Sequence, residues 1–222
     1  MKNPIDLKQE MERTLATPRC KYDGLSKLFF LSMDIVAGKK TTLPKVIFLE
    51  MLASIPYRKW EARHYVRLTF SYRIQSVVEL ASKMVEWSRD AQDNEYWHLL
   101  VLNERFKESR GSHPWYLNAF ITHLALYGYM GFSWLLTRLS MRKALLFNAQ
   151  FEDHAEHTYA EFVRDNLSLF DEPMTNSVVR EYADVSNWGD IFCRIALDER
   201  DHRNKSFIAA GKPELVINPE AL

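Results

Sequence analysis

The chain has 222 residues, and its 29 Lys and Arg balance its 29 Asp and Glu. This length predicts one domain with a sizeable core, and the balanced charge supplies no global field that would recruit nucleic acid. Cys20 and Cys193 are too few for a disulfide scaffold, and the N-terminus lacks the apolar core of a signal peptide. We therefore expect a protein of a reducing, cytoplasmic compartment that does not bind nucleic acid, with both cysteines as small buried hydrophobes.

Helical signals run along the chain and no strand pattern competes with them, which predicts an all-α fold. Residues 1–42 are expected to form a polar N-terminal arm. Within this arm, Leu25–Ala37 has the pattern of a short amphipathic helix, which Gly38 would stop.

Prolines mark the next boundaries. Pro44 suits the first turn of a helix that runs through Glu50, and Pro56 should kink or end that helix. The segment Arg58–Ala81 either continues it or begins a new one. Further helices are predicted over residues 77–106, 142–166 and 190–207, followed by a C-terminal tail over residues 211–222.

Six residues follow the order carboxylate, E-x-x-H, carboxylate, E-x-x-H; they are Glu50, Glu95, His98, Glu152, Glu199 and His202. Each interval is long enough for a helix, a turn and a return to the same depth of a bundle. Residues three apart share a helix face, so each E-x-x-H pair can present an oxygen and a nitrogen to one point. Dinuclear carboxylate sites in bundle cores use this arrangement, which predicts a ferritin-like four-helix bundle over residues 43–210.

A third E-x-x-H, formed by Glu61 and His64, competes with this interpretation. Glu61 would lie on the same helix face as Glu50 but about 16 Å further along the axis, so both cannot reach one metal pair. We expect Glu61 and His64 to be surface or interfacial residues.

The stretch Trp115–Thr137 contains no charged residue and is long enough to span a bilayer. A single crossing between Glu95 and Glu152 would put the two halves of the site on opposite sides, so we expect none. The stretch is then either a buried bundle helix or, as we favour, a helix with one face in a single leaflet. The aromatic and cationic segment Tyr57–Tyr72 suits a membrane surface as well.

The four ligand segments resemble the alternative oxidases, which are di-iron ubiquinol oxidases. The segments read FLEMLASIP at 48–56, NEYWHLL at 94–100, EDHAEHTY at 152–159 and DERDHR at 198–203. The family runs L-E-T-V-A-x-x-P, N-E-R-M-H-L, L-E-E-E-A-x-x-T-Y and D-E-A-x-H at these places. The resemblance covers about residues 44 to 207, with the segments in the right order.

The resemblance implies that the six residues bind two Fe ions and that Tyr159 stands beside the iron pair. It also places Asn94, Thr158 and Asp198 near the site. It implies a monotopic protein on one leaflet, dimeric, which reduces dioxygen to water while oxidising two quinols to quinones. We expect the cytoplasmic face of a bacterial-type membrane.

The chain departs from the family at several positions. Lys45 replaces the arginine common near the quinol pocket, which keeps the charge but loses the bidentate fork. His154 and His157 should point away from the helix face that Glu152 and Tyr159 share, whereas Glu156 shares that face and is the better candidate for an additional ligand.

Four carboxylates and two imidazoles suit iron, and their formal charge balances two ferrous ions. Asp198 or Asp201 would fix the tautomer of a ligand histidine. Two other functions stay open at this point. One is a di-iron hydroxylase or desaturase that acts on a lipid-like substrate, and the other is ferritin-like oxidation or storage of iron.

Overall fold

The structure is a computed structural model that describes residues 5–109 and 111–218. The described chain is helical, without a β-strand, and the all-α prediction is confirmed. The helices are α1 (Leu7–Ala16), α2 (Gly24–Ala37), α3 (Leu43–Ala53), α4 (Ile55–Phe70), α5 (Gln75–Ser109), α6 (Ala119–Leu139), α7 (Met141–Arg164), α8 (Ser177–Tyr182) and α9 (Trp188–Ala209).

Capping side chains explain where many of these helices begin. At each of these starts, a side-chain oxygen accepts a hydrogen bond from a backbone N–H of the first turn, which would otherwise lack a partner. The capping residues are Asp6, Asp23, Thr42, Asn118, Ser140, Asn176 and Asn187.

Pro56 separates two helices rather than kinking one. Helix α3 ends at Ala53 and α4 begins at Ile55, with Pro56 in the first turn of α4, where a missing N–H costs little. Helix α4 then ends before Ser71, and α5 begins at Gln75. The segment after Pro56 therefore begins a new helix.

Helix α1 was not predicted from the sequence, in which only Leu25–Ala37 was expected to be helical within the N-terminal arm. Helix α1 packs on α7 and α9. Met11 lies in the main core, while Glu10 and Thr14 are buried beside it. Because these two buried residues are polar, they interrupt the apolar periodicity that would predict a buried helix. Their burial is explained only by their partners on α7 and α9.

Helices α7 and α9 pack together along much of their length and carry most of the central core. Helix α6 differs, because only Tyr129, Ser133 and Thr137 are buried along it. By length and composition α6 is also the one helix in the described part of the chain that could cross a membrane.

Candidate metal centre

Acidic and histidine side chains from α3, α5, α7 and α9 converge in the interior. One group contains Glu50, Glu95, His98 and Glu199, and the other contains Glu95, Glu152, Glu199 and His202. Within each group the potential ligand atoms lie within 4.8 Å of one another, and every residue is buried. Glu95 and Glu199 belong to both groups, so two adjacent sites that share two carboxylates could each hold a metal ion.

The two E-x-x-H pairs face each other across the site. His98 Nδ1 lies 2.9 Å from Glu199 Oε1, and His202 Nδ1 lies 2.9 Å from Glu95 Oε1. The distances within each pair are longer, at 3.6 Å from His98 to Glu95 and 3.8 Å from His202 to Glu199. Each imidazole therefore lies nearest the carboxylate of the opposite helix, which brings α5 and α9 to one centre.

Burial and mutual repulsion dominate the electrostatics of Glu50 and Glu152, whereas at Glu95 the effect of burial is outweighed by His202 and His98, which lower the pKa of that carboxyl. Burial, and then the neighbouring Glu95 and Glu199, raise the pKa of Glu50 well above its usual range. Burial, Glu199 and Glu95 have the same effect on the pKa of Glu152. Glu50 and Glu152 thus lie where their negative charge is disfavoured, and a cation bound beside them would relieve the repulsion from Glu95 and Glu199.

Unpaired polar atoms of the six residues support a metal in this position. Although several are close to one another, they have no hydrogen-bond partner among the described residues, which is costly for buried polar atoms. They are Glu50 Oε2, both oxygens of Glu95 and of Glu199, Glu152 Oε2, and Nδ1 of His98 and of His202. These atoms point into the same two groups, so the donor set fits cations that favour oxygen and imidazole nitrogen.

Asp198 holds His98 from outside the ligand groups. Its Oδ2 lies 3.5 Å from His98 Nε2 and accepts hydrogen bonds from Tyr182 Oη at 2.6 Å and Asn94 Nδ2 at 3.3 Å. With Nε2 facing this carboxylate, Nδ1 is left free for a metal. The other candidate, Asp201, is exposed and pairs with Lys205, so Asp198 is the residue that contacts the histidine.

Two tyrosines donate hydrogen bonds to ligand carboxylates. The hydroxyl of Tyr159 donates to Glu50 Oε1, which places this side chain beside the ligand groups. The hydroxyl of Tyr57 donates to Glu152 Oε1 at 2.6 Å and accepts a bond from Asn148. We expected Tyr57 to belong to a surface segment, but it is fully buried; in the sequence, only its position directly after Pro56 indicates this.

Thr158 and Lys45 contact other parts of the molecule. Thr158 Oγ1 donates to the backbone carbonyl of His154 at 2.7 Å. Lys45 Nζ donates to Asp34 Oδ1 at 2.6 Å and to the carbonyl of Gly38 at 2.7 Å. The role of Lys45 toward a quinol therefore stays a prediction from the resemblance.

Glu61 and His64 lie outside both ligand groups. Glu61 accepts hydrogen bonds from Arg89 at 2.7 Å and Gln92 at 2.9 Å. His64, however, is buried, and its Nδ1 lies 2.9 Å from the carbonyl of Trp60. The prediction of a surface position is wrong for His64. Its ring can be buried because Nδ1 has a hydrogen-bond partner within its own helix.

Glu156 is not an additional ligand. Arg200 Nε donates to its Oε1 at 2.9 Å, Arg203 donates to its Oε2 at 2.6 Å, and Thr14 donates to Oε1 at 2.8 Å. One helical turn beyond Glu152, the facing residues of α9 are these two arginines. Glu156 does lie on the helix face of Glu152, as predicted, but at its depth in the bundle its carboxylate is paired with arginines of α9 instead of facing the ligand groups.

His154 and His157 turn away from the ligand groups, as the periodicity predicts. His154 stacks on Phe30 with 4.1 Å between ring centroids, and burial lowers its pKa to about 3. The ring nitrogens of His157 lie 2.8 Å from the carbonyl of Asp153 and 3.0 Å from that of Thr17. Both histidines attach the N-terminal segment to α7.

The cysteines differ in burial. Cys193 lies in the main core, where burial raises the pKa of its thiol to about 12, which fits a small buried hydrophobe. Cys20 is half-buried, and its backbone N–H donates to Asp153 at 3.1 Å.

A cavity of about 450 Å³ reaches the ligand groups from between α3, α4, α5 and α6. Glu50 and Glu95 form part of its wall. Its other walls are mostly apolar, with Met51, Leu99 and Met130 among them, together with polar groups such as Ser54, Arg58 and His123. A separate apolar cavity of about 310 Å³ lies between α2, α3 and α6.

Comparison with known protein families found no matching family, and comparison with curated proteins found no similar sequence.

Proposed function

We propose that this protein is a di-iron quinol oxidase of the alternative-oxidase type, which reduces dioxygen to water with electrons from a membrane quinol. One observation carries the proposal. The six residues selected by motif order lie in two buried groups that share Glu95 and Glu199, and a tyrosine hydroxyl bonds directly to Glu50. A dinuclear centre needs shared carboxylates, and a four-electron reduction benefits from a nearby phenol.

We also propose that α3, α5, α7 and α9 act as the ferritin-like four-helix bundle of residues 43–210. Each of these helices supplies at least one residue to the buried groups, as the bundle arrangement requires. In this arrangement the N-terminal arm covers one side, because α1 packs on α7 and α9.

We propose iron as the metal, because a set of carboxylates and imidazoles suits it. Glu50, Glu95, Glu152 and Glu199 would carry four negative charges against two ferrous ions, with His98 and His202 as neutral ligands. Two ferrous ions held side by side would supply electrons to dioxygen together. All six residues are buried, which would limit the access of bulk water to the centre.

Two groups of the chain would handle protons at the centre. Tyr159 holds a proton at its hydroxyl, and burial followed by Glu50 raises the pKa of this phenol well above its usual range. The proton would thus stay on Tyr159 until an electron leaves the ring together with it. Asp198 keeps His98 oriented, so that Nδ1 faces the ligand groups.

The cavity of about 450 Å³ is the proposed quinol site. Its lining combines Glu50 and Glu95 with apolar side chains and a few hydrogen-bonding groups, which suits a polar ring that carries an apolar tail. The quinol hydroxyls would face the ligand carboxylates, while Leu126 and Met130 of α6 would contact the tail.

A membrane-facing surface would supply this apolar substrate. Helix α6 exposes Phe120, Leu124 and Leu139, and α2 exposes Leu28 and Ile35. Glu95 precedes α6 and Glu152 follows it, yet their oxygens belong to one group, so a single crossing would separate them. We therefore propose that α6 and α2 lie in one leaflet, on the cytoplasmic face of a bacterial-type membrane, in a homodimer.

Oxygen uptake by the purified protein with a soluble ubiquinol analogue and no added iron tests the proposal. Metal analysis of the same sample should find about two irons per chain. One zinc per chain, or no quinol-dependent uptake, would sink the assignment. Oxygenated lipid among the products would indicate a hydroxylase or desaturase, and mineralised iron without an organic substrate would indicate iron storage.

A further inference from the structure

Tyr57 belongs to a chain of aromatic rings that leads away from the metal centre. Its ring centroid lies 5.4 Å from that of Trp60 and 5.8 Å from that of Trp87, and the two tryptophan rings are 5.5 Å apart. Tyr57 and Trp60 are fully buried, whereas Trp87 on α5 is only half-buried. The three rings therefore connect Glu152, which accepts the Tyr57 hydrogen bond, with the protein surface.

Phenol and indole are the most easily oxidised aromatic side chains, and electrons pass readily between rings in van der Waals contact. The path from Tyr57 through Trp60 and Trp87 contains only phenol and indole rings. Trp60 Nε1 donates to Thr137 Oγ1 at 3.2 Å, which fixes the orientation of its ring beside the other two. Trp87 Nε1 is buried and has no hydrogen-bond partner among the described residues, so no buried group is positioned to take its proton.

Tyr159 has different surroundings, although it also bonds to a ligand carboxylate. Its ring contact is Phe192, at 6.3 Å, and Phe192 in turn contacts Phe162 at 4.9 Å and Trp188 at 6.1 Å, so a phenylalanine ring stands between Tyr159 and the indole of Trp188. A benzene ring without a hydroxyl or nitrogen is far harder to oxidise than phenol or indole. An oxidising equivalent on Tyr159 would therefore be retained at the centre, whereas one on Tyr57 could pass to the tryptophan rings.

We propose that Tyr57, Trp60 and Trp87 form a discharge route that carries an oxidising equivalent from the metal centre to the surface when the reducing substrate is absent. The inference rests on the proposed oxidase, whose dioxygen-oxidised centre is the oxidant. Tyr57 gives one electron to that centre, its O–H bond breaks, and the proton passes along the hydrogen bond to Glu152 Oε1.

The remaining steps restore Tyr57 and balance the charges. Trp87 gives one electron to the Tyr57 phenoxyl radical, directly or through Trp60, and the proton returns from Glu152 to Tyr57. The radical cation then resides on Trp87, where a soluble one-electron reductant such as ascorbate or a thiol supplies the missing electron. Overall, one external electron reaches the centre without a quinol.

The experiment exposes the protein, loaded with ferrous iron under anaerobic conditions, to dioxygen without quinol or soluble reductant. Radicals are followed by freeze-quench electron paramagnetic resonance, and oxidised tryptophans are mapped by peptide mass spectrometry. Trp97 is the internal control, because it is half-buried on the same helix as Trp87 but contacts Tyr96 rather than Tyr57. We expect oxidation to concentrate on Trp87 and to spare Trp97.

Two variants locate the route. Tyr57→Phe should abolish the indole radical and the Trp87 product. Trp87→Phe leaves the hydrogen bond to Glu152 in place and should lengthen the lifetime of the radical on Tyr57 or Trp60, and ascorbate should no longer shorten it. Trp97→Phe should behave as the wild type.

Equal oxidation of Trp87 and Trp97, or an unchanged Trp87 product in iron-loaded Tyr57→Phe, would overturn the route and leave the oxidase standing. If Tyr57→Phe loses iron or does not fold, Trp87→Phe decides, because an unchanged radical lifetime also contradicts the route. Wild-type protein that binds no iron or consumes no oxygen with quinol would remove the proposed function, and this inference with it.

Discussion

The hydroxyl of Tyr159 on α7 donates a hydrogen bond to Oε1 of Glu50 on α3. The phenol is fully buried, so bulk water cannot compete for this bond. The contact joins the predicted redox residue to the first predicted metal ligand across two helices that are far apart in the sequence.

Tyr159→Phe should retain iron and lose most quinol-dependent turnover, because only the hydroxyl that would donate an electron and a proton is removed. A purely structural tyrosine predicts instead a loss of about 1 kcal/mol in stability and near-normal rates. Melting temperature, iron content and oxygen uptake on one sample separate the two. Unchanged turnover would remove Tyr159 from the mechanism.

Glu152→Ala should abolish bound iron and oxygen uptake together, because it removes a ligand from one group and the acceptor of the Tyr57 hydroxyl. Glu61→Ala is the matched control, since Glu61 sits in the competing E-x-x-H and pairs with Arg89 near the surface. It should cost less than about 1 kcal/mol and leave iron in place. Equal losses of iron and oxygen uptake in both variants would contradict the assignment of Glu152, rather than Glu61, as a metal ligand.

Asp198→Asn should lower iron affinity by about 10- to 100-fold, because the carboxylate that orients His98 is lost. Competition with a chelator measures this affinity. Asp201→Asn serves as the control, because Asp201 is exposed and pairs with Lys205. Similar affinities for the two variants would contradict the assigned role of Asp198.

Leu99→Trp should raise the KM for quinol while iron content stays normal, since Leu99 lines the cavity that reaches Glu50 and Glu95. Leu80→Trp, at an exposed position of the same helix, should leave the KM unchanged. Leu124→Trp would fill the apolar cavity between α2, α3 and α6. If that variant alone raises the KM, the quinol binds there instead.

Leu28→Asp combined with Phe120→Asp should weaken binding to liposomes by about tenfold or more, because two exposed apolar side chains of the proposed membrane face are lost. Co-sedimentation measures the bound fraction. Leu167→Asp, at an exposed position outside α2 and α6, should bind as the wild type does. Wild-type protein that ignores liposomes would contradict the membrane face.

Local patterns in the sequence were enough to predict the helices that carry the ligands and the six residues that converge. A shared helix face depends only on 3.6 residues per turn, so the pairing of Glu95 with His98, and the turn of His154 away from Glu152, follow without knowledge of the fold. The limits of α7 and α9 lie within two residues of their predicted ends.

Contacts between helices could be decided only by the tertiary structure. Glu156 has the periodicity of a ligand, but Arg200 and Arg203 meet it at its depth. Tyr57 looks like a surface aromatic until the break between α3 and α4 turns it toward Glu152. The physical reason is the same in both cases. Periodicity specifies the direction in which a side chain leaves its helix, whereas its partner depends on the position of the neighbouring helix along the helix axis.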